Sequence, residues 1–278
     1  MGCEDGSRLP IGRRRFLALS AGLGLAGLST EALGMIPKGY EEPPLDDWLR
    51  RRALEGELPR RPLGETGVEL TILGFGGFHL LEVSPREAEE LLNFYLDGGG
   101  NFIETAAGYG KGDSERKIGR VMAGRRDECI LSTKTHGRTR RAAAESIEQS
   151  LRNLHTERVD NLFMHNVRTE ADLERITSED GALRAAEEAR EAGKIRFISV
   201  TSHSPQVLLK AVQSYPFDAV MEWINYLDYF NFPIIHERII PECRRRGIGQ
   251  SRMRGISVVY LPRRSSKRRS GVRSVRGC

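Results

Sequence analysis

Residues 101–135, NFIETAAGYGKGDSERKIGRVMAGRRDECILSTKT, decide the fold class. Two short runs of apolar and β-branched residues, 101–106 and 128–135, flank a stretch near 113–123 with a helical pattern. Such patterns predict a strand, a helix and a second strand. Consecutive elements of this kind form a βαβ unit, in which the two strands are parallel and the crossover is right-handed.

The same alternation continues on both sides of this unit. A predicted strand at 71–76 precedes a helix opened by Ser84-Pro85, where Glu87 completes a capping box. Gly64 and Gly67 bracket a turn further upstream that predicts a small hairpin. The remaining predicted strands lie at 159–166, 195–203 and 218–226, and the remaining predicted helices at 139–154, 179–192, 205–214 and 233–246. Residues 71–246 therefore contain six βα units.

Alternation alone fits an open doubly wound sheet and a closed barrel equally well. Polar residues, however, follow nearly every predicted strand, namely Glu104, Lys134, His165, Ser202, His203, Asn225 and Tyr226. In a barrel these strand ends share one mouth, whereas an open sheet offers only a crevice at its switch point. We therefore predict an α/β fold, an incomplete (β/α)8 TIM barrel over residues 63–249.

Composition excludes several classes of protein. Hydrophobic residues make up 39% and charged residues 29% of the 278 residues, which excludes wholesale disorder, collagen and a multi-span membrane protein. The four cysteines are far apart and form no CxxC, so neither a disulfide framework nor a zinc knuckle is predicted.

The amino terminus has the pattern of an export signal. Arg13 and Arg14 precede a weakly hydrophobic run from Phe16 to Leu28 that is too short to span a bilayer as a helix. A small-residue cleavage site follows near Gly34. We predict a twin-arginine signal peptide at 1–34, a linker at 35–62, the twin-arginine export machinery as a partner, no stable membrane span, and a periplasmic or cell-envelope location.

The positive charge is concentrated at the other end. Residues 250–278 contain nine Lys or Arg and no acid, so residues 1–249 carry a net charge of −4 although the whole chain carries +5. No folded nucleic-acid motif accompanies this tail, and we expect no nucleic-acid partner. A basic tail of this kind can bind nucleic acid or an anionic membrane surface, or it can be a solvated disordered segment. The preferred interpretation is a frameshift that truncates the barrel and impairs activity.

Known short motifs do not identify the chemistry. Residues 74–79 resemble a dinucleotide fingerprint but have His79 where Gly or Ala is required, and no Walker A or HExxH sequence is present. No metal site is predicted. More informative are Glu104 with Tyr109, then Lys134, then His165, because each follows a successive strand and together they supply a carboxylate, a phenol, an ammonium and an imidazole.

These segments resemble the aldo-keto reductase family. The resemblance covers roughly residues 60–249 and rests on NFIETAAGYG…DSERKIG, LSTKT, FMHN, IRFISVTSHS and INYLDYFNFPIIHERIIPECRRRGIG. It is closest to a bacterial branch of exported members that often carries a carboxyl-terminal iron–sulfur segment. The resemblance implies a barrel that reduces aldehydes and ketones to alcohols by hydride transfer from NADPH, with NADH as the alternative cofactor.

The resemblance also implies a role for each polar residue. Tyr109 would protonate the carbonyl oxygen; a free phenol has a pKa of about 10, so a nearby cation is needed, and Lys134 would supply it. Glu104 would hold Lys134, although the family usually has Asp at this place, and we expect altered rather than abolished coupling. His165 would orient the small-molecule carbonyl substrate.

The predicted cofactor contacts depart further from the family. Thr201 and Ser202 match the Ser-Asn pair that binds the nicotinamide carboxamide only approximately, and Trp223 stands where a glutamine is expected. These departures leave open a second function, a non-catalytic cofactor-binding or regulatory subunit. A metal-dependent hydrolase that uses His79, His165 and His203 is a third, least favoured interpretation.

Overall fold

The computed structural model describes residues 58–223 and 231–253. All of these residues belong to one compact unit. The predicted signal peptide, most of the linker, and residues 254–278 of the predicted tail lie outside the described residues. Within them, no helix is both long and apolar enough to cross a bilayer.

Seven parallel strands form one sheet whose order follows the sequence without a switch point. A sheet wound in this way, with helices between successive strands, is a partly completed (β/α)8 barrel, as predicted. The strands are β3 (Phe75–Gly76), β4 (Phe102–Glu104), β5 (Ile130–Thr135), β6 (Val159–Met164), β7 (Ile195–Thr201), β8 (Ala219–Trp223) and β9 (Gly249–Met253). The α-helices between them are α1 (Pro85–Asp97), α2 (Asp113–Arg125), α3 (Arg140–Asn153), α4 (Glu170–Thr177), α5 (Ala182–Glu191), α6 (Pro205–Ser214) and α7 (Ile240–Arg245).

The seventh strand corrects the predicted end of the barrel at residue 249. β9 pairs with β8 along its whole length, from Ala219 opposite Gly249 to Trp223 opposite Met253. Its sequence, GQSRM, is too polar to predict a buried strand. Backbone pairing to an existing sheet edge decides the conformation here, because strand propensity depends on context more than on residue type.

Two helices also differ from the prediction. The helix predicted at 179–192 is α5, but α4 precedes it, opened by a capping box between Thr169 and Asp172 that the sequence analysis missed. The helix predicted at 233–246 is divided into a π-helical turn, Ile235–Ile239, and α7. Pro241 lies in the first turn of α7 and has no backbone N–H to donate to the preceding turn, which favours this local irregularity.

The predicted hairpin covers the amino-terminal end of the barrel. Its strands are β1 (Arg60–Pro62), taken from the end of the predicted linker, and β2 (Glu69–Thr71). Leu63 and Leu70 form a small apolar cluster with Phe102 and Ala219. This cluster closes the end of the sheet opposite the polar strand ends, so that the carboxyl-terminal end is left for a site.

Strand alternation separates a barrel interior from a helix-facing layer. The main apolar core contains Ile103, Leu131, Leu162, Ile198 and Val220, one residue from each of five successive strands, packed with the helices. Their neighbours in the chain therefore point into the barrel, because successive side chains of a strand lie on opposite faces. This alternation places Glu104, Lys134 and His165 on the inner face.

Candidate active site

Three neighbouring strands bring the predicted catalytic residues together. Glu104 is the last residue of β4, Lys134 is the fifth residue of β5, and His165 follows β6 directly. The strands are in register, with Glu104 opposite Ser132 and Lys134 opposite Phe163. The three side chains therefore meet at the carboxyl-terminal mouth of the barrel, as the strand-end pattern predicts.

The Lys134 ammonium is buried and contacts three groups. It forms an ion pair with the Glu104 carboxylate, donates to the Thr105 carbonyl oxygen at 2.9 Å, and donates to the Tyr109 hydroxyl at 3.3 Å. Only 1% of the Lys134 side chain is exposed. A buried ammonium is tolerated when it is paired in this way. Although glutamate is one methylene longer than the aspartate usual in the resembling family, the Glu104 carboxylate still reaches the ammonium.

Tyr109 lies between this ammonium and an exposed aromatic ring. The Lys134 nitrogen is 4.9 Å from the centre of the Tyr109 ring, and Phe78 packs edge-on against the same ring with centroids 5.1 Å apart. An ammonium this close to a phenol stabilises the phenolate, which is what a proton donor needs as it gives up its proton. Phe78 is 50% exposed and supplies an apolar wall at the mouth.

His165 is a neutral imidazole next to the phenol. Its ring centre is 6.0 Å from that of Tyr109. Burial lowers the pKa of His165 to about 3, with further contributions from the Lys134, His136, His203 and Arg138 charges. A neutral imidazole orients a carbonyl by hydrogen bonding and does not compete with the phenol as the acid.

Two further residues at this mouth were missed by the sequence analysis. His136 stacks on His165 with ring centroids 4.1 Å apart, and its Cε1 lies only 2.9 Å from the position that a Cβ on Gly108 would occupy. Arg138 donates 2.9 Å hydrogen bonds to the carbonyl oxygens of His165 and Asn166. Both residues follow β5 closely. A search for polar residues after each predicted strand, which identified Lys134, would therefore also have found them.

The structure places the predicted cofactor residues at the next two strand ends. Thr201 and Ser202 are buried, and Thr201 Oγ1 accepts a 2.9 Å hydrogen bond from the Asn166 amide. Ser202 Oγ donates to the Val167 carbonyl oxygen at 2.6 Å and accepts from the Ser204 amide at 2.9 Å. The Ser202 hydroxyl thus bonds both to the loop after β6 and to its own loop. Thr201 Oγ1 is only the acceptor in its contact with Asn166, so that contact does not use the Thr201 hydroxyl hydrogen. Trp223 ends β8; its side chain lies outside the described part.

The histidines of the hydrolase interpretation do not form a shared ligand set. His79 is exposed and lies 3.4 Å from Glu82. In the ranges 58–223 and 231–253 no three His, Cys, Asp or Glu side chains converge as metal ligands would.

The sequence matches the Aldo/keto reductase family over residues 72–257, two thirds of the chain. The chain belongs to this family. Its members are oxidoreductases, and the match extends past the predicted end of the barrel to include β9.

Individual aldo/keto reductases are similar over more than half of this chain. The L-glyceraldehyde 3-phosphate reductase of Escherichia coli is 28% identical over 60% of this chain and 51% of its own length. The NADP(+) aldo-keto reductase yakc of Schizosaccharomyces pombe is 28% identical over 69% and 59%. A solved thermostable aldo-keto reductase, in complex with the inhibitor epalrestat, is 26% identical with a TM-score of 0.60 over 69% of this chain and 71% of that one. The chain spans about half the length of the curated relatives that it matches.

Proposed function

We propose that the chain is an NAD(P)H-dependent carbonyl reductase that converts aldehydes or ketones to alcohols, with Tyr109 as the general acid. The observation that carries the proposal is the 3.3 Å contact between the Tyr109 hydroxyl and the buried Lys134 ammonium. A phenol held against a cation at a strand end, beside a neutral imidazole, is suited to protonating a carbonyl oxygen.

A bound nicotinamide supplies the hydride in this reaction. The chain's own residues then have separate tasks. Tyr109 donates a proton to the carbonyl oxygen, Lys134 stabilises the resulting phenolate, and Glu104 keeps the ammonium in place. His165 donates a hydrogen bond that orients the carbonyl, and Thr201 would bind the nicotinamide amide group.

We propose NADPH as the cofactor, with NADH as the alternative. The proposal is supported by the relative from Schizosaccharomyces pombe, whose name specifies NADP(+). The name of the relative from Escherichia coli specifies an aldehyde and that of the relative from Schizosaccharomyces pombe specifies no substrate, so they support the carbonyl class and not one substrate. Export through the twin-arginine pathway to the periplasm or cell envelope is likewise a proposal, and it rests on residues 1–34 alone.

A second candidate is a barrel that binds the cofactor without turnover. It is favoured by Ser202, whose hydroxyl already bonds the Val167 carbonyl oxygen and the Ser204 amide. The two candidates predict the same cofactor binding and differ only in carbonyl reduction.

The variant Tyr109→Phe separates them. We expect the native chain to oxidise NADPH in the presence of small aldehydes, and the variant to be slower by roughly 10²–10⁴-fold, the range for loss of a positioned acid. NADPH affinity, measured by fluorescence titration, is expected to stay within about twofold, since the proposal assigns the phenol oxygen to the substrate carbonyl and not to cofactor binding.

Tyr215→Phe is the matched control. Tyr215 also loses only a hydroxyl, which bonds Glu187 at 3.0 Å, and it follows α6, away from the carboxyl-terminal mouth. Its turnover should equal that of the native chain. NADPH binding without aldehyde reduction in the native chain would support the second candidate, and equal rates for Tyr109→Phe and the native chain would exclude Tyr109 as the acid.

A further inference from the structure

His136 and His165 form a pair of stacked imidazoles at the mouth of the barrel. Their ring centroids are 4.1 Å apart and the rings are tilted by 39°. His165 is half-buried, whereas His136 is exposed at the rim. In the described part of the chain, neither ring nitrogen of His136 has a hydrogen-bond partner, so both nitrogens can serve a ligand.

The charges around the pair are balanced. The Lys134 ammonium is neutralised by Glu104, and the Arg138 guanidinium lies 3.1 Å from the Asp172 carboxylate. Burial and the two cations together lower the pKa of His136, so its ring is neutral near pH 7. A neutral imidazole has one hydrogen-bond donor and one acceptor, and a hydroxyl group can pair with either of them.

An exposed aromatic ring also lines the mouth. Phe78 is 50% exposed and packs edge-on against Tyr109, so it faces the place where a carbonyl compound would meet the phenol. An exposed aromatic ring binds the C–H face of a small hydroxylated molecule, while polar groups on the other side fix its orientation.

We propose that His136 is a specificity-determining residue that binds a hydroxyl on the carbon next to the carbonyl, so that small uncharged hydroxyaldehydes and hydroxyketones are the preferred substrates. The inference rests on the proposed function. His165 orients the carbonyl oxygen and His136 is in direct contact with His165, so two oxygen atoms on adjacent carbons match two adjacent rings. A phosphorylated substrate is disfavoured, because both nearby cations are already paired.

The test compares 2-hydroxypropanal with propanal, which differ by one hydroxyl. We expect kcat/KM of the native chain to be roughly tenfold higher for 2-hydroxypropanal, the usual size of one hydrogen bond's effect. In His136→Phe this ratio should fall to about one, and His136→Gln, which keeps a donor and an acceptor, should restore part of it.

His155→Asn is the matched control. His155 is exposed, lies before β6 at the other end of the strands, and has a positive φ of 49°, which asparagine tolerates. In His155→Asn the ratio of kcat/KM for 2-hydroxypropanal to kcat/KM for propanal should equal that of the native chain. An unchanged ratio in His136→Phe, or a native ratio near one, would overturn the inference. A tenfold preference for glyceraldehyde 3-phosphate over glyceraldehyde would also overturn it.

A binding measurement separates this inference from the proposed function. In histidine NMR spectra of the full chain, 1,2-propanediol is expected to shift the His136 ring resonance, which His136→Phe identifies, and 1-propanol at the same concentration is not. Equal responses to the two alcohols would refute His136 as the hydroxyl site. Absence of NADPH oxidation with every aldehyde, together with a selective response to the diol, would refute only the reductase.

Discussion

At the scale of single residues, the protonation states follow from burial and pairing. Lys134 is buried but has Glu104 as a partner, whereas His165 is half-buried beside Lys134, Arg138 and other histidines, so protonation would add an unpaired charge. The charged Lys134 ammonium therefore helps to keep the His165 imidazole neutral. Glu222, on the helix-facing side of β8, differs from both. It is buried, and its carboxylate has no hydrogen-bond partner among the described residues.

The first residue-scale prediction concerns acid stability and His165. Its pKa is about 3 in the folded chain and about 6.5 when unfolded, so the unfolded state takes up a proton first as the pH falls below 6.5. Relative to His165→Gln, the native chain should lose about 2 kcal/mol of unfolding free energy between pH 7 and pH 5. Urea unfolding at both pH values measures this loss, and parallel curves for the two proteins would contradict it.

Glu222 gives a prediction of opposite sign. Its side chain is 1% exposed, neither carboxylate oxygen has a hydrogen-bond partner in the described residues, and burial raises its pKa to about 7 despite the nearby Arg252. The contribution of a carboxyl with a raised pKa is present at acid pH and lost as the pH rises through 7. Glu222→Gln should therefore be about as stable as the native chain at pH 4.5 but more stable by about 3 kcal/mol at pH 8.

Urea unfolding at these two pH values checks the second prediction. Glu237→Gln, on the neighbouring π-helical turn, changes an exposed glutamate and serves as the control. A Glu222→Gln variant that is less stable than the native chain at pH 8 would show that the carboxylate has a stabilising partner.

At the scale of elements, the hairpin β1–β2 depends on two glycines with different surroundings. Gly64 has a φ of 54°, and a Cβ there would lie 2.3 Å from the Gly247 carbonyl oxygen, where the hairpin meets the loop before β9. Gly67 has a φ of 74° but has no neighbouring atom within 4 Å of such a Cβ. The first position combines strain with a backbone clash, and the second has strain alone.

Alanine substitutions separate the two effects. Gly67→Ala should cost about 1 kcal/mol of unfolding free energy, the usual cost of a positive φ in a residue with a side chain. Gly64→Ala should cost roughly 3 kcal/mol or more, since backbone atoms must also move. Chemical denaturation measures both values; equal costs would mean that the hairpin is not closely packed on the barrel at Gly64.

At the scale of the whole molecule, charge is divided unevenly along the chain. Residues 255–278 contain seven Lys or Arg and no acid, so their removal changes the formal net charge from +5 to −2. The full chain should bind a cation exchanger at pH 8 in low salt, and a variant ending at Arg254 should not, since retention follows net charge and its distribution. Equal retention would place the basic surface in the remaining residues.

Local sequence predicted the strand–helix alternation, because hydrophobic periodicity and capping residues such as Ser84 and Glu87 act within a few residues. It also predicted that Glu104, Lys134 and His165 share one end of the barrel, because the carboxyl ends of parallel strands lie together. The roles assigned to Thr201, Ser202 and Trp223 remain predictions.

The tertiary structure alone decided β9, whose polar sequence becomes a strand through pairing with β8. It alone also decided that His136 lies on His165, that the Ser202 hydroxyl bonds the Val167 carbonyl oxygen, and that the buried Glu222 carboxylate has no hydrogen-bond partner among the described residues. Each of these depends on contacts between residues far apart in the chain, or on exclusion of water by packed helices. Hydrophobic periodicity in the sequence indicates which face of an element is apolar, but it does not indicate which side chain from another element covers that face.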